Sequence, residues 1–157
     1  MFIPSKKRDI LGIASTTHED IMHLNFHASQ KIAARRFIMY LPDKNRAGVH
    51  INTIEEWVSE ACLMLTKING GATRLAPAKG MWLNEHSGQL IQETTHIIFS
   101  CVRMPSFLKN FGTIRSFIAR FGQETDQDSV AVEFEGAMYF LTGEALPDTE
   151  PRQVYLM

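Results

Sequence analysis

Two amphipathic helical segments, each enclosed by strand-forming runs, constrain the fold of this chain more than any other feature. In residues 54–68 and again in residues 107–121, apolar positions recur every three or four residues, which places them on one side of a helix. Strand-type runs flank both helices, at residues 35–41, 73–83, 89–102, 129–134 and 137–141. The order along the chain is therefore β-α-β-β-α-β with one strand added.

This order predicts an α+β fold of the ferredoxin-like type, in which two helices lie on one face of an antiparallel sheet of four to five strands. We expect that domain over residues 31–143, with a partly ordered N-terminal extension over residues 1–30 and a C-terminal tail over residues 144–157. Alternating apolar and polar residues at 22–27 could add a further strand.

Local signals mark where these elements begin, end or turn. Thr53 and Glu56 have the spacing of a capping box at the start of the first helix, and the glycine pair at 70–71 can end it. Pro77 lacks the amide that a central strand needs, so the run at 73–83 is expected at a sheet edge or with a bulge. The pair at 135–136 has the composition of a two-residue hairpin turn.

The run at 89–102 predicts a strand with apolar residues on both faces. One face carries Ile91, Glu93, Thr95, Ile97, Phe99 and Cys101, and the other carries Leu90, Gln92, Thr94, His96, Ile98, Ser100 and Val102. Helices can cover only one of these faces. Because Leu63 and Met64 add apolar surface at the margin of the first helix, we expect the chain to pack on a second copy as a homodimer.

Glu93 is the residue in this strand that most needs an explanation. A carboxylate on an apolar strand face must be paired, hydrogen-bonded or protonated, because burying it alone costs several kcal/mol. Its possible partners are Arg74, Lys79, Arg115, Arg120 and the amides and side chain around Gln123. Three readings stay open: a structural salt bridge, a ligand-binding or acid/base carboxylate with a raised pKa, and a residue that meets water.

Several spaced residues resemble the pattern of a family of small bacterial proteins that carry a domain of unknown function and are often called lipoproteins. The matching positions are Trp57, Gly80, Trp82, Gly88, Glu93, Phe121, Gly122, Gln123 and Glu124. The resemblance spans residues 33–134, and the chain departs from it by a longer polar run after Glu124 and by the lack of an export signal. It supports the fold and a candidate site, and it implies no reaction.

The candidate site combines residues from distant parts of the chain. Gln123 and Glu124 follow the second helix, where side chains can converge on the end of the sheet, and with Trp82 and Glu93 they would line a pocket for a small polar ligand. Arg74 is included as a cationic partner. The alternative for Gln123 and Glu124 is that they cap the helix and order the following loop.

Composition and motifs exclude several classes of function. A net charge of −1 gives no long-range field for general nucleic-acid binding. The six histidines and two cysteines lack zinc-ligand spacing, and we expect no metal and no cofactor. The two cysteines lie in apolar runs and are expected to be buried thiols. Their low number, together with the absence of a secretion signal or a long apolar run, predicts a cytoplasmic protein without a membrane segment.

These observations favour a non-enzymatic module that binds a small polar ligand or a protein partner. The lack of any nucleophile, phosphate-loop or dinucleotide motif disfavours a recognisable enzyme. Two alternatives remain. The first is a small enzyme that uses Glu93 as general acid or base, and the second is a protein that acts only through its oligomeric surface.

Overall fold

The structure of the protein is a computed structural model that describes residues 35–84 and 87–142. The strand expected at 22–27, the N-terminal extension and the C-terminal tail lie outside the described residues. The predicted domain limits therefore stay predictions.

The described residues form six strands and three helices. In chain order these are β1 (Arg35–Pro42), α1 (Ile54–Asn69), β2 (Thr73–Arg74), β3 (Ala78–Leu83), β4 (Leu90–Val102), α2 (Met104–Lys109), α3 (Phe111–Glu124), β5 (Val130–Phe134) and β6 (Ala137–Leu141). The α+β class is confirmed. The expected numbers are corrected, because the described sheet has six strands instead of four to five and carries three helices instead of two.

Both extra elements arise where one predicted element is split. The predicted strand at 73–83 is interrupted at residues 75–77, where Pro77 has no amide to donate, and both halves pair only with β4. The predicted second helix is interrupted at Asn110, whose side-chain Nδ2 and backbone amide both donate to the Ser106 carbonyl, at 2.8 and 3.0 Å. Apolar periodicity runs across Asn110 and so does not reveal that interruption, whereas Pro77 marks the one in the strand.

All strand pairs of the sheet are antiparallel. The order is β2-β4-β1-β5-β6, with β3 beside β4 on the edge that β2 also occupies. The long strand β4 lies between β1 on one side and the two short strands on the other. The tight turn between β5 and β6 is confirmed by positive φ angles of 52° at Glu135 and 81° at Gly136.

The helices cover one face of the sheet. On β4, His96, Ile98, Ser100 and Val102 are buried on this face, which we call the helix face. Trp57 on α1 packs edge to face against Phe117 and Phe121 on α3, with 5.7 and 5.4 Å between ring centroids. This aromatic cluster joins the two helices within the core. The residues between them on β4 are half-buried or exposed on the opposite face, which we call the open face.

The ends of α1 test the local signals. Gly70 adopts the left-handed conformation with φ 87°, and its amide donates to the Thr66 carbonyl at 2.8 Å, so the predicted helix end is confirmed. The capping box is wrong. Thr53 makes no side-chain capping bond because its backbone, at φ −95° and ψ 12°, is not in the extended conformation that directs the hydroxyl at the helix amides.

The expectation of two buried thiols is also wrong. Cys62 is half-buried on α1, and Cys101 is exposed because it points to the open face. None of the described helices is long and apolar enough to cross a membrane.

Candidate functional site

The carboxylate of Glu93 is held on the open face by donors from two strands. The indole Nε1–H of Trp82 donates to Oε2 at 2.9 Å, and the hydroxyl of Thr95 donates to Oε1 at 3.2 Å. All three side chains are half-buried. The site therefore joins Trp82 and Glu93, as the sequence predicts, and adds Thr95.

The pairing of β3 with β4 brings these side chains together. Gly80 lies directly opposite Glu93, and Trp82 lies opposite Ile91, which is the next residue on the same face. A long side chain can reach the diagonal neighbour across an antiparallel pair, so Trp82 reaches Glu93. Thr95 follows Glu93 by two positions and shares its face.

Gly80 leaves the space in which this arrangement fits. A Cβ atom at residue 80 would lie 2.7 Å from the Thr95 hydroxyl oxygen, 3.4 Å from Cγ of Glu93 and 3.6 Å from its Oε1. The first distance is too short for non-bonded atoms. A side chain at this position would therefore displace the hydroxyl that holds Glu93.

Burial is the largest influence on the ionisation of Glu93. Desolvation raises the pKa of Glu93 above its usual value, and the negative charge of Asp43 adds to this, whereas the hydrogen bonds from Trp82 and Thr95 and the positive charge of Lys44 lower it. Lys44 is fixed nearby because its Nζ donates to the Gln92 carbonyl at 2.7 Å. The result is a half-buried carboxylate that ionises less readily than an exposed one.

Arg74 lies on the other side of the sheet. Its position in β2 pairs with Ile98, which faces the helices, and its guanidinium binds both carboxylate oxygens of Glu55 at 2.7 Å. A further contact joins Arg74 to Nδ1 of His96 at 2.9 Å. Arg74 is therefore not the ion-pair partner of Glu93, and its part in ligand binding stays a prediction.

The contact with Arg74 favours the neutral form of His96. Burial lowers the pKa of His96, and the guanidinium of Arg74 lowers it further. A neutral imidazole can accept the Arg74 hydrogen bond at Nδ1, whereas a protonated ring cannot. His96, Arg74 and Glu55 thus tie β2 and β4 to α1 on the helix face.

Gln123 and Glu124 lie in the last turn of α3. Both are exposed, and α3 packs on the helix face of the sheet, whereas Glu93 lies on the open face. Their part in a shared pocket with Trp82 and Glu93 stays a prediction.

A second held carboxylate on the open face was missed by sequence reasoning. The Tyr40 hydroxyl donates to Oε2 of Glu133 at 3.0 Å, and burial first, then this hydrogen bond, raises the pKa of Tyr40. The half-buried Ile97 lies opposite Tyr40 on the next strand. Strand alternation places Tyr40 and Glu133 on strand faces, but only the pairing of β1 with β5 shows that they meet.

Within residues 35–84 and 87–142, no group of three His, Cys, Asp or Glu residues is placed to hold a metal ion. What the open face offers instead is two hydrogen-bonded carboxylates with half-buried apolar residues between them.

Comparisons of the sequence with family models and with curated proteins find no match. Two solved structures share the fold. A phage SAM lyase in complex with S-methyl-5'-thioadenosine aligns with a TM-score of 0.52 at 19% identity, over 73% of this chain and 95% of the other. A phage SAM lyase in the apo state aligns with a TM-score of 0.51 at 18% identity, over 76% of this chain and 100% of the other.

The likeness at this identity establishes a shared fold. It also overturns the expectation of a non-enzymatic binding module, because both chains that share the fold are enzymes by name. Of the readings that the sequence leaves open, these names agree better with a small enzyme than with a non-enzymatic module.

Proposed function

We propose that this protein is an enzyme that cleaves a carbon–sulfur bond of S-adenosyl-L-methionine, or of a closely related sulfonium nucleoside, on the open face of the sheet. The observation that carries the proposal is the half-buried Glu93 carboxylate, held by Trp82 and Thr95 on the face that the helices leave uncovered. The fold shared with the two phage SAM lyase chains supplies the substrate class.

The chemistry of this substrate suits a carboxylate site. S-adenosyl-L-methionine carries a positive sulfur, and S-methyl-5'-thioadenosine is what remains when the bond from sulfur to the four-carbon amino-acid part is broken. The bonding electron pair goes to sulfur, which leaves as a neutral thioether. The leaving group therefore needs no proton, and the enzyme must chiefly bind a cation and place the four-carbon part.

Glu93 fits the role of cation-binding carboxylate. A positive group beside a carboxylate favours its ionised form, and the interaction is stronger in a half-buried site than in bulk water. The raised pKa of Glu93 shows that burial penalises the bare charge, so a substrate cation would relieve that penalty. With Glu93 binding the cation, the carboxylate of the amino-acid part itself can form a bond to the carbon that sulfur leaves, which closes a lactone.

General-base catalysis is the second candidate role, and the raised pKa of Glu93 favours it. In that case Glu93 takes a proton from the carbon next to the one that bears sulfur, a carbon–carbon double bond forms, and the thioether leaves. The two roles give different four-carbon products. Proton NMR of the product separates them, because only the base-catalysed route yields vinyl protons.

The test is a direct assay. Purified protein is incubated with S-adenosyl-L-methionine, and S-methyl-5'-thioadenosine is followed over time by liquid chromatography and mass spectrometry. Protein-free and heat-denatured samples are needed because the substrate also breaks down without enzyme. The matched variants are Glu93→Gln and Glu56→Gln, since Glu56 is an exposed acid on α1.

We expect wild type and Glu56→Gln to form the product at equal rates, and Glu93→Gln to be slower by at least about 100-fold. A wild-type rate equal to that of the protein-free sample would refute the proposed activity. Equal rates for wild type and Glu93→Gln would refute the role of Glu93.

We also propose that the site works in a homodimer. Support comes from the open face, where Ile97 and Phe99 are half-buried and Phe140 is 70% exposed, and from Leu63 on α1, which is 55% exposed. Light scattering after size-exclusion chromatography measures the mass, and a monomer at micromolar concentration would contradict this.

We also propose that the fold is ferredoxin-like and that the protein lies in the cytoplasm. The strand order β5-β1-β4-β3, with helices on one face, supports a ferredoxin-like scaffold. Two free cysteines, one of them exposed, support a reducing compartment such as the cytoplasm.

A further inference from the structure

The two hydrogen bonds to Glu93, from Trp82 and from Thr95, depend on different features of the structure. The indole of Trp82 is a large half-buried ring whose N–H can only donate. The hydroxyl of Thr95, in contrast, is a small rotor that holds Oε1 at 3.2 Å. What secures the hydroxyl is the empty space at Gly80, where a Cβ atom would lie 2.7 Å from it.

We propose that Thr95 is a positioning residue for Glu93, and that Gly80 is required because only a residue without a side chain lets the Thr95 hydroxyl reach the carboxylate. This inference rests on the proposed function, since it assigns Thr95 to the same site. Thr95 acts through Glu93 and is not itself a catalytic residue.

The physical reason is the freedom of a carboxylate about its last torsion. The final torsion of a glutamate side chain is broad, so one hydrogen bond, from Trp82, leaves the carboxylate plane free to turn about that contact. A second donor on the other oxygen fixes the plane. A carboxylate accepts about four hydrogen bonds, so with Trp82 and Thr95 bound, each oxygen of Glu93 keeps one acceptor position for a substrate cation.

The same hydroxyl keeps the carboxylate ionised at lower pH. A hydrogen bond to the charged form favours that form, and the bonds from Trp82 and Thr95 both act against the desolvation that raises the pKa of Glu93. Loss of the Thr95 hydroxyl would raise this pKa further. The acidic limb of the pH–rate profile would then move to higher pH.

The test uses three substitutions at Thr95. Thr95→Val keeps the shape but removes the donor, Thr95→Ser keeps the donor, and Thr95→Ala removes both the donor and the group that clashes with a side chain at residue 80. The ionisation of Glu93 is followed by NMR of protein carrying ¹³C-labelled glutamate carboxyls, with the Glu93 signal assigned by its loss in Glu93→Gln. The pH profile of S-adenosyl-L-methionine cleavage is measured on the same proteins.

We expect Thr95→Val to raise the pKa of Glu93 and to slow cleavage by about threefold to tenfold at pH values below the wild-type midpoint, as the loss of one hydrogen bond predicts. Thr95→Ser, which keeps the hydroxyl, should have the wild-type pKa of Glu93 and the wild-type cleavage rate. An unchanged Glu93 titration in Thr95→Val, or a failure of Thr95→Ser to restore it, would overturn the proposal.

Gly80→Ala tests whether Gly80 is required for the Thr95 hydroxyl to reach Glu93. We expect it to shift the Glu93 titration in the same direction as Thr95→Val, and to have no further effect when combined with Thr95→Ala. An equal effect of Gly80→Ala with and without Thr95 would show that Gly80 does not act through that hydroxyl. If the wild type does not cleave the substrate, the proposed function fails, while the NMR titrations still decide whether Thr95 orients Glu93.

Discussion

Glu93→Gln separates a functional carboxylate from a structural one, because the amide has the same shape as the carboxylate and keeps both neighbouring hydrogen bonds. The indole of Trp82 can donate to the amide oxygen, and the hydroxyl of Thr95 can accept from the amide nitrogen. Each hydrogen bond to a charged group becomes a neutral one, which weakens it by about 1 kcal/mol. Opposing this loss, the variant no longer desolvates a charge.

The direction of the Glu93 pKa shift shows which of these two effects on stability is larger. Desolvation outweighs the hydrogen bonds, so the pKa of Glu93 is raised in the folded state. A carboxyl with a raised folded pKa binds more protons when folded, so its contribution to stability falls as pH rises through the unfolded value to the folded value. Above that window the wild type bears a penalty that Glu93→Gln lacks. Because Glu93 is partly exposed and water screens its charge, the two proteins should agree within about 1 kcal/mol at pH 8.

Urea unfolding of both proteins between pH 4 and pH 8 measures the prediction. The stability of Glu93→Gln relative to wild type should increase with pH across the window and level off above it, while its rate of product formation stays at least about 100-fold lower. A loss of more than about 3 kcal/mol at pH 8 would show that Glu93 belongs to a structural ion pair. A stability difference that is constant with pH would show that its pKa is not raised.

Three further substitutions test the helix face, α3 and the turn between β5 and β6. Burial lowers the pKa of His96 and the guanidinium of Arg74 lowers it further, so Arg74→Met should raise the His96 midpoint in an NMR titration of the ring protons; an unchanged midpoint would contradict the contact at 2.9 Å. Gly112→Ala, on α3 with open space at its Cβ, should raise the free energy of unfolding by up to about 1 kcal/mol. Gly136→Ala, at φ +81°, should lower it by about 1 kcal/mol, and urea unfolding that gave both variants the same sign would refute this account of the two glycines.

Local periodicity predicted much of the fold because it acts within a single element. Alternation in β4 correctly placed Glu93 and His96 on opposite faces, and apolar spacing found α1 almost to the residue. Both patterns depend only on strand or helix geometry. They need no knowledge of the partner element.

Arg74 was grouped with Glu93 because of its charge alone, and a break in the strand places these two residues on opposite faces of the sheet. In an unbroken strand, Arg74, Gly80 and Trp82 would share one face, since they are separated by even numbers of residues. The interruption at residues 75–77 changes the alternation, so Arg74 faces the helices and Gly80 faces Glu93. Pro77 marked the break in the sequence, but it did not show how many residues would leave the ladder.

The partners of Glu93 could be only half predicted. A buried charge most readily suggests an opposite charge, so the predicted partners were mainly cations. The actual donors are neutral, an indole and a hydroxyl. Thr95 follows Glu93 by two positions on the same strand and could have been found by alternation alone, whereas Trp82 required the register of β3 against β4, which the loop sequence does not specify.

The location of the site follows from how the two faces of the sheet are used. On the helix face, α1 and α3 bury the side chains, and the polar residues there, such as His96 and Ser100, are satisfied by fixed contacts within the chain. On the open face, a half-buried carboxylate with a raised pKa keeps acceptor positions unused by Trp82 and Thr95. Burial there penalises the charge, and the nearby Lys44 offsets only part of that penalty. A substrate cation would offset more of it, which is why the open face is the side of the sheet where we place the chemistry.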